Sequence, residues 1–161
     1  MSFPIDKIRP LNEQEVFDIA LRTMRNRDYL KAKSEKDDSC LYRSSVGPCA
    51  IGACIPNTLY DYRMEGKSRI GGSIGLVLSK SKFFPELIQL FSKCKDTFLQ
   101  SIQSCHDNLN DVSNTISARN QFENSMYKVA YNYNLKFTGL NEQYPTDYNP
   151  NKDERYQVKC N

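Results

Sequence analysis

Six cysteines and a single histidine are the residues of this chain whose types could support covalent or metal chemistry. Cys40, Cys49 and Cys54 lie close together in the sequence, and His106 follows much later, next to Asp107. Thiolate and imidazole are preferred zinc ligands, so Cys40, Cys49, Cys54 and His106 define a candidate metal site. Structural zinc sites usually pair ligands about two to four residues apart, and this spacing offers no such pair. The sequence therefore favours free thiols that pack as small apolar side chains.

Cysteine and histidine together also raise the alternative of nucleophilic catalysis, in which the imidazole holds the thiol as a thiolate. In that interpretation the chain is a hydrolase or transferase, Cys40 or Cys49 is the nucleophile, Arg43 holds an anion and His106 is the base. Neighbouring side chains on a helix point about 100° apart, so Asp107 is not expected to orient the His106 ring. We instead expect a positively charged His106 at a helix C-terminus, and the leading interpretation has no catalytic residue.

Composition and missing motifs exclude several classes of protein. The glycines of the chain have neither the spacing nor the lysine of a phosphate-binding loop. A formal net charge of +3 is far weaker than the basic stripe of a nucleic-acid binder, so nucleic acid is not expected as a partner. No apolar run reaches the length of a signal peptide or a membrane span. We expect a cytoplasmic protein with no cofactor and no membrane association.

Apolar residues recur at helical spacing in three stretches, and these stretches predict the main helices. Asn12 and Glu15 have the spacing of a capping box at the start of the first helix. Pro85 suits the first turn of the second helix, which is interrupted near Lys93 in one interpretation. The predicted helices cover residues 13–33, 85–107 and 115–134. The outer face of the first helix is basic and is expected to be solvated. Its cations are Arg22, Arg25, Arg27, Lys31 and Lys33.

Between the first two predicted helices lies a segment rich in cysteine and glycine. Residues 40–75 are expected to be irregular, with a short helix over 57–64. Residues 76–78 are either a brief strand or an apolar entry into the next helix. The sequence thus predicts a mainly α protein, with three main helices and short additional ones in a single domain over 1–135. Residues 136–161 are expected to form an extended or partly disordered tail.

This middle segment carries an ordered set of short motifs. It contains CLYR at 40–43, CAIG at 49–52, Ile55-Pro56, Tyr60 and MEG at 64–66, with Leu99-Gln100 and His106-Asp107 later in the chain. The order resembles a pattern of small, functionally uncharacterised bacterial and bacteriophage proteins: C-x-Y-R, C-A-[IV]-G-x-x-I-P and Y-x-x-x-M-E-G, then a helix ending in L-Q-x-x-H-D. The resemblance implies a prokaryotic, phage or mobile-element origin and brings no known activity.

These observations favour a non-enzymatic protein-binding factor of a phage or prokaryote. A host protein is the expected partner, so the factor would act in the host cytoplasm, for instance as an inhibitor of a host enzyme or defence system. The binding residues predicted from the middle segment are Tyr42, Arg43, Tyr60, Arg63 and Glu65. Arg43 either clamps a ligand carboxylate or phosphate or pairs with Glu65 inside the fold.

Two further interpretations stay open at this point. A small zinc- or nucleic-acid-binding module is the remaining alternative function. Tyrosines are abundant late in the chain, where Tyr127 and Tyr131 are two of them. They suit a protein-binding surface, and they equally suit packing of the last helix and the tail on the core.

Overall fold

The computed structural model describes residues 3–110 and 114–157. Within these ranges the chain forms five α-helices and one short antiparallel hairpin. The helices are α1 (Glu13–Arg25), α2 (Ile74–Ser79), α3 (Pro85–Leu90), α4 (Asp96–Asp107) and α5 (Thr115–Asn132), and the strands are β1 (Arg43–Ser44) and β2 (Gly47–Pro48). Short 3₁₀ helices cover Ile5–Lys7, Gly52–Cys54, Tyr62–Met64, Pro150–Lys152 and Glu154–Tyr156. The predicted mainly α single domain with an irregular middle segment is confirmed.

The three longest helices, α1, α4 and α5, surround one hydrophobic core. Each contributes a fully buried phenylalanine, namely Phe17, Phe98 and Phe122. Burying an aromatic side chain of this size contributes roughly 2–3 kcal/mol, so each ring is a substantial part of the core that the three helices share. Among the described residues, no helix combines the length and the apolar character that crossing a bilayer requires.

Helix α1 begins as predicted and ends earlier than predicted. The Asn12 side chain accepts from the Glu15 amide at 2.8 Å, and the Glu15 carboxylate accepts from the Asn12 amide at 3.1 Å, which is a capping box. The helix ends at Arg25, because Asp28 and Tyr29 adopt left-handed backbone angles with φ of 54° and 62°. This reversal buries the Tyr29 ring, so the prediction of a helix to residue 33 is wrong.

The second predicted helix is divided, as one interpretation allowed. Residues 91–95 interrupt it between α3 and α4, and contacts with the start of the chain hold the break. The Lys95 amide donates to the Glu13 carboxylate at 3.0 Å, and the Cys94 thiol lies 3.3 Å from the Leu11 carbonyl oxygen. The Lys95 contact satisfies an amide that a continuous helix would have bonded internally.

The strand alternative for residues 76–78 is wrong, since this stretch belongs to α2. The Ser73 hydroxyl caps the helix by accepting from the Leu76 amide. Ile74 and Val77 are fully buried, and α2 packs on α4. The predicted short helix over 57–64 is reduced to a single 3₁₀ turn over Tyr62–Met64.

Residues 136–157, which we call the strap, cross the polar face of α1. The buried Asp18 carboxylate accepts from the Thr146 amide at 3.0 Å and from the Thr146 hydroxyl at 2.8 Å. Arg22 donates to the Tyr148 carbonyl at 3.1 Å. The described part of the tail therefore packs on α1 and includes two 3₁₀ turns. The expectation of a solvated basic face on α1 is wrong for Arg22.

Arg25 also binds the strap, and it pairs with α5. Its guanidinium donates to both carboxylate oxygens of Glu123 on α5, at 2.7 and 2.8 Å, and to the Thr138 carbonyl at 2.7 Å. The Arg25 side chain is only 8% exposed. A bidentate pair of this kind fixes α1, α5 and the strap relative to one another.

Candidate functional site

His106, predicted as a base or a zinc ligand, lies in the last turn of α4 and is fully buried. Its Nδ1 lies 2.7 Å from the Asp107 carboxylate, and its Nε2 accepts from the Ala32 amide at 2.8 Å. The expectation that Asp107 cannot orient the ring is therefore wrong. Asp107 is the last residue of the helix, where the helix end leaves room for its carboxylate beside the ring.

These two hydrogen bonds determine the tautomer of His106. A backbone amide can only donate, so Nε2 must carry a lone pair, and the ring proton must lie on Nδ1 and point at Asp107. Burial lowers the pKa of His106, and the hydrogen bond to Asp107 offsets only part of that effect. His106 is thus neutral near pH 7, which corrects the expectation of a positively charged residue at the helix terminus.

Cys40 approaches this pair. One ligand atom from each of Cys40, His106 and Asp107 lies within 4.8 Å of the other two. Lys31 joins the cluster by donating to the Asp107 carbonyl at 2.6 Å and the Leu109 carbonyl at 3.1 Å. The cluster therefore ties the loop after α1 to the C-terminal end of α4.

The hydrogen bonds at both ring nitrogens do not fit a zinc ligand. A metal on Nδ1 would move the ring proton to Nε2, which would then face the Ala32 N–H group. The same bonding leaves no ring nitrogen free to accept a proton from Cys40. The arrangement suits a structural polar clip better than a nucleophile–base pair.

Cys49 and Cys54, the other predicted zinc ligands, are fully buried outside this cluster. The Cys49 sulfur accepts from the Gly52 amide at 3.2 Å, and the Cys54 thiol faces the Val16 and Ala50 carbonyls. The five described cysteines are free thiols, as expected, and Cys160 lies outside the described residues.

Alkylation rates distinguish a reactive cysteine from structural ones. Burial raises the pKa of the Cys49, Cys94 and Cys105 thiols to about 12 and also raises that of Cys40. Since only the thiolate reacts, we expect each described cysteine of a Cys160→Ser variant to react with iodoacetamide more slowly than N-acetylcysteine at pH 7.5. The rate for Cys49 should be lower by a factor of about 100 or more. Peptide mass spectrometry over time measures each rate. Alkylation of Cys40 faster than that of N-acetylcysteine would revive the nucleophile hypothesis.

The neutral His106 predicts a specific dependence of stability on pH. The unfolded ring titrates near pH 6.5 and the folded ring at a lower pH, so the unfolded state binds more protons as the pH falls. The stabilisation is fully present above pH 6.5, and we expect the free energy of unfolding to fall between pH 7.5 and 5.5, by at most about 1.4 kcal/mol. His106 is the single histidine of the chain, so no other imidazole contributes to the change in this pH range. Urea denaturation at several pH values measures the loss, and a flat or rising profile would contradict the neutral, buried assignment.

Four of the predicted binding residues form an internal network. The Glu65 carboxylate accepts from the Tyr42 amide at 3.0 Å, the Arg43 amide at 3.2 Å and the Tyr60 hydroxyl at 2.9 Å. The Tyr42 ring is buried, and its hydroxyl donates to the Gly72 carbonyl at 2.7 Å. These contacts give Tyr42 and Glu65 a structural role in holding the middle segment together.

Arg43 uses its side chain on the same segment. Its guanidinium donates to the Ile55 carbonyl at 2.6 Å and the Asn57 side chain at 2.5 Å, and it lies 5.0 Å from the Tyr60 ring centroid. Burial lowers the pKa of Arg43. Of the two roles considered for this residue, internal pairing is nearer to what is observed, although its partners are a carbonyl and an amide rather than Glu65.

Tyr60 and Arg63 are placed differently, because both line an open cavity of about 470 Å³. The cavity lies between the turn at residues 58–63 and the segment 82–87, and we call it the aromatic cavity. Arg63 is held by bidentate bonds to Asp61, and its guanidinium carbon lies 5.7 Å from the Phe83 ring centroid. This arrangement presents a stacked cation and aromatic faces to an incoming group.

Two exposed aromatic residues at this site escaped the sequence analysis. Phe83 is 45% exposed and lines the cavity, while Tyr62 is 76% exposed and lines an adjoining hollow with Tyr60 and Arg63. The adjacent Phe84 is buried, so one of two consecutive phenylalanines faces inward and the other outward. The two phenylalanines stand directly before Pro85, the first residue of a helix. This position is the sequence signal that could have pointed to an exposed ring.

No family model, curated protein or solved structure matches this chain. The family resemblance drawn from the motifs therefore stays a prediction. What the site can do rests on its own geometry.

Proposed function

We propose that this protein is a non-enzymatic binding factor that recognises a partner protein through the aromatic cavity. The observation that carries the proposal is the exposure of Tyr62 and Phe83 around a cavity lined by Tyr60 and Arg63. Solvent-exposed aromatic rings are costly to leave in water, and tyrosine and arginine are enriched where protein interfaces bind most strongly.

The cavity has the size and chemistry to receive a protruding side chain. A volume of about 470 Å³ lies in the range of pockets that enclose small ligands. A partner residue with an apolar body would cover the exposed rings of the cavity wall.

The identity of the partner rests on the motif resemblance alone. A phage or mobile-element origin makes a host protein the proposed partner, with inhibition of a host enzyme or defence system as the proposed outcome. The hydrogen-bonded state of His106 favours this binding role over the Cys–His enzyme and zinc-module alternatives.

A capture experiment with a matched surface variant tests the proposal. The immobilised full chain is expected to retain a stoichiometric protein from a bacterial lysate at near-physiological salt. The double variant Tyr62→Ser/Phe83→Ser should lose it, because these rings supply the apolar contact. Val46, in the hairpin turn, is 43% exposed, which is close to the exposure of Phe83. The control variant Val46→Ser should therefore retain the captured protein. Equal retention by the double variant, or no stoichiometric protein on the wild type, would refute the proposal.

A further inference from the structure

The outer face of α5 is a second surface that the proposed function does not use. Ile116, Tyr127 and Tyr131 are 61%, 58% and 80% exposed, and Asn120 between them is also exposed. At about 100° per residue these four positions fall within an arc of about 60°, and they span about 22 Å of the helix. We call this uncharged stripe the tyrosine face.

Positive charge flanks the tyrosine face on both sides. Arg119 and Lys128 are exposed and lie about 60° to either side of the stripe. Glu123 is the one acidic residue in the sequence of α5, and its carboxylate is bound by the guanidinium of Arg25 and the hydroxyl of Tyr29. The helix therefore presents two cations to solvent without a competing carboxylate of its own.

We infer that the tyrosine face binds an amphipathic helix of a partner protein whose charged residues are acidic. Apolar side chains of such a helix would pack on Tyr127 and Tyr131, and glutamates beside them would reach Arg119 and Lys128. Tyrosine suits this contact because it offers a large rigid ring and a polar tip at low entropic cost.

Charge disfavours a contact between the α5 helices of two copies of this chain. Two copies of α5 packed antiparallel would bring Arg119 of one against Lys128 of the other, and a parallel pair would oppose like residues directly. Neither arrangement supplies a carboxylate, because Glu123 is occupied by Arg25. The inference concerns a different element from the aromatic cavity, so either site can fail without the other.

Two synthetic helical peptides test the inference on the full chain labelled with 3-fluorotyrosine. They share one leucine stripe over about 18 residues, enough to cover the face, and carry either glutamate or lysine at all polar positions. We expect the glutamate peptide to shift the fluorine signals of Tyr127 and Tyr131, assigned by Tyr→Phe variants. The lysine peptide should leave them unchanged.

A charge-reversed variant supplies the matched control. Arg119→Glu/Lys128→Glu should weaken the glutamate peptide at least tenfold and gain binding of the lysine peptide. The inference would be overturned by equal binding of both peptides to the wild type, or by unmoved tyrosine signals. A dimer of the wild type that the Tyr131→Lys substitution dissociates would also overturn it. So would fluorine shifts of Tyr127 and Tyr131 that appear with phosphatidylglycerol vesicles and not with the glutamate peptide.

Discussion

Replacing Gly52 with alanine is expected to lower the free energy of unfolding by about 3 kcal/mol or more. A Cβ atom at this position would lie 2.2 Å from the carbonyl oxygen of Tyr42 and 3.0 Å from its carbonyl carbon. Both are backbone atoms, which cannot rotate away as a side chain can. The same carbonyl accepts from the Cys49 amide at 3.0 Å, so a shift that relieves the clash breaks a hydrogen bond of the middle segment.

Gly66→Ala is the matched control for this substitution. Its added Cβ would meet nothing closer than the Gly72 Cα at 3.9 Å, which is an ordinary contact. Urea denaturation should therefore place Gly66→Ala close to the wild type and Gly52→Ala far below it. Coincident unfolding midpoints for the two variants would show that the middle segment is not packed this closely.

Replacing Arg25 with methionine is expected to cost about 3 kcal/mol of unfolding free energy. The substitution leaves the Glu123 carboxylate, only 17% exposed, without its bidentate partner, and it frees the Thr138 carbonyl as well. Arg155→Met removes the same charge from a side chain that is 47% exposed and should cost less than about 0.5 kcal/mol.

A double-mutant cycle separates the lost pair from the lost packing. Arg25→Met/Glu123→Met removes both charges, so it should recover part of the stability lost in Arg25→Met alone. Thermal or urea denaturation measures Arg25→Met, Glu123→Met and the double variant. A double variant less stable than Arg25→Met would mean that the ion pair is not the main contribution of Arg25.

Local signals made the starts of elements predictable. The capping box of Asn12 and Glu15 depends on residues three positions apart, and the break within 85–107 was among the interpretations. The end of α1 was not predictable, because the left-handed turn at Tyr29 places its ring against Phe122, far along the chain. Local spacing carries no information about a contact of that kind.

The candidate sites were likewise predictable in part from the sequence. Sequence motifs brought attention to Tyr60 and Arg63, which do line the aromatic cavity. They could not separate these residues from Tyr42, which is buried, since the motif pattern does not encode depth. The opposite wall of the cavity comes from Phe83, and only the fold brings that segment beside the first. His106 was placed on the correct helix, but its neutral state depends on the distant Ala32 amide.

The strap gives the fold a particular order of completion during synthesis. The Asp18 carboxylate on the first helix receives its partners from Thr146, and Arg22 binds the carbonyl of Tyr148. A ribosome has made nearly all of the described chain before these partners exist. A nascent chain that pauses before residue 146 therefore holds α1 with the Asp18 carboxylate bonded only to Gln14 of the same helix and otherwise open to water. Closure of the strap on α1 is a late step in the folding of the described chain.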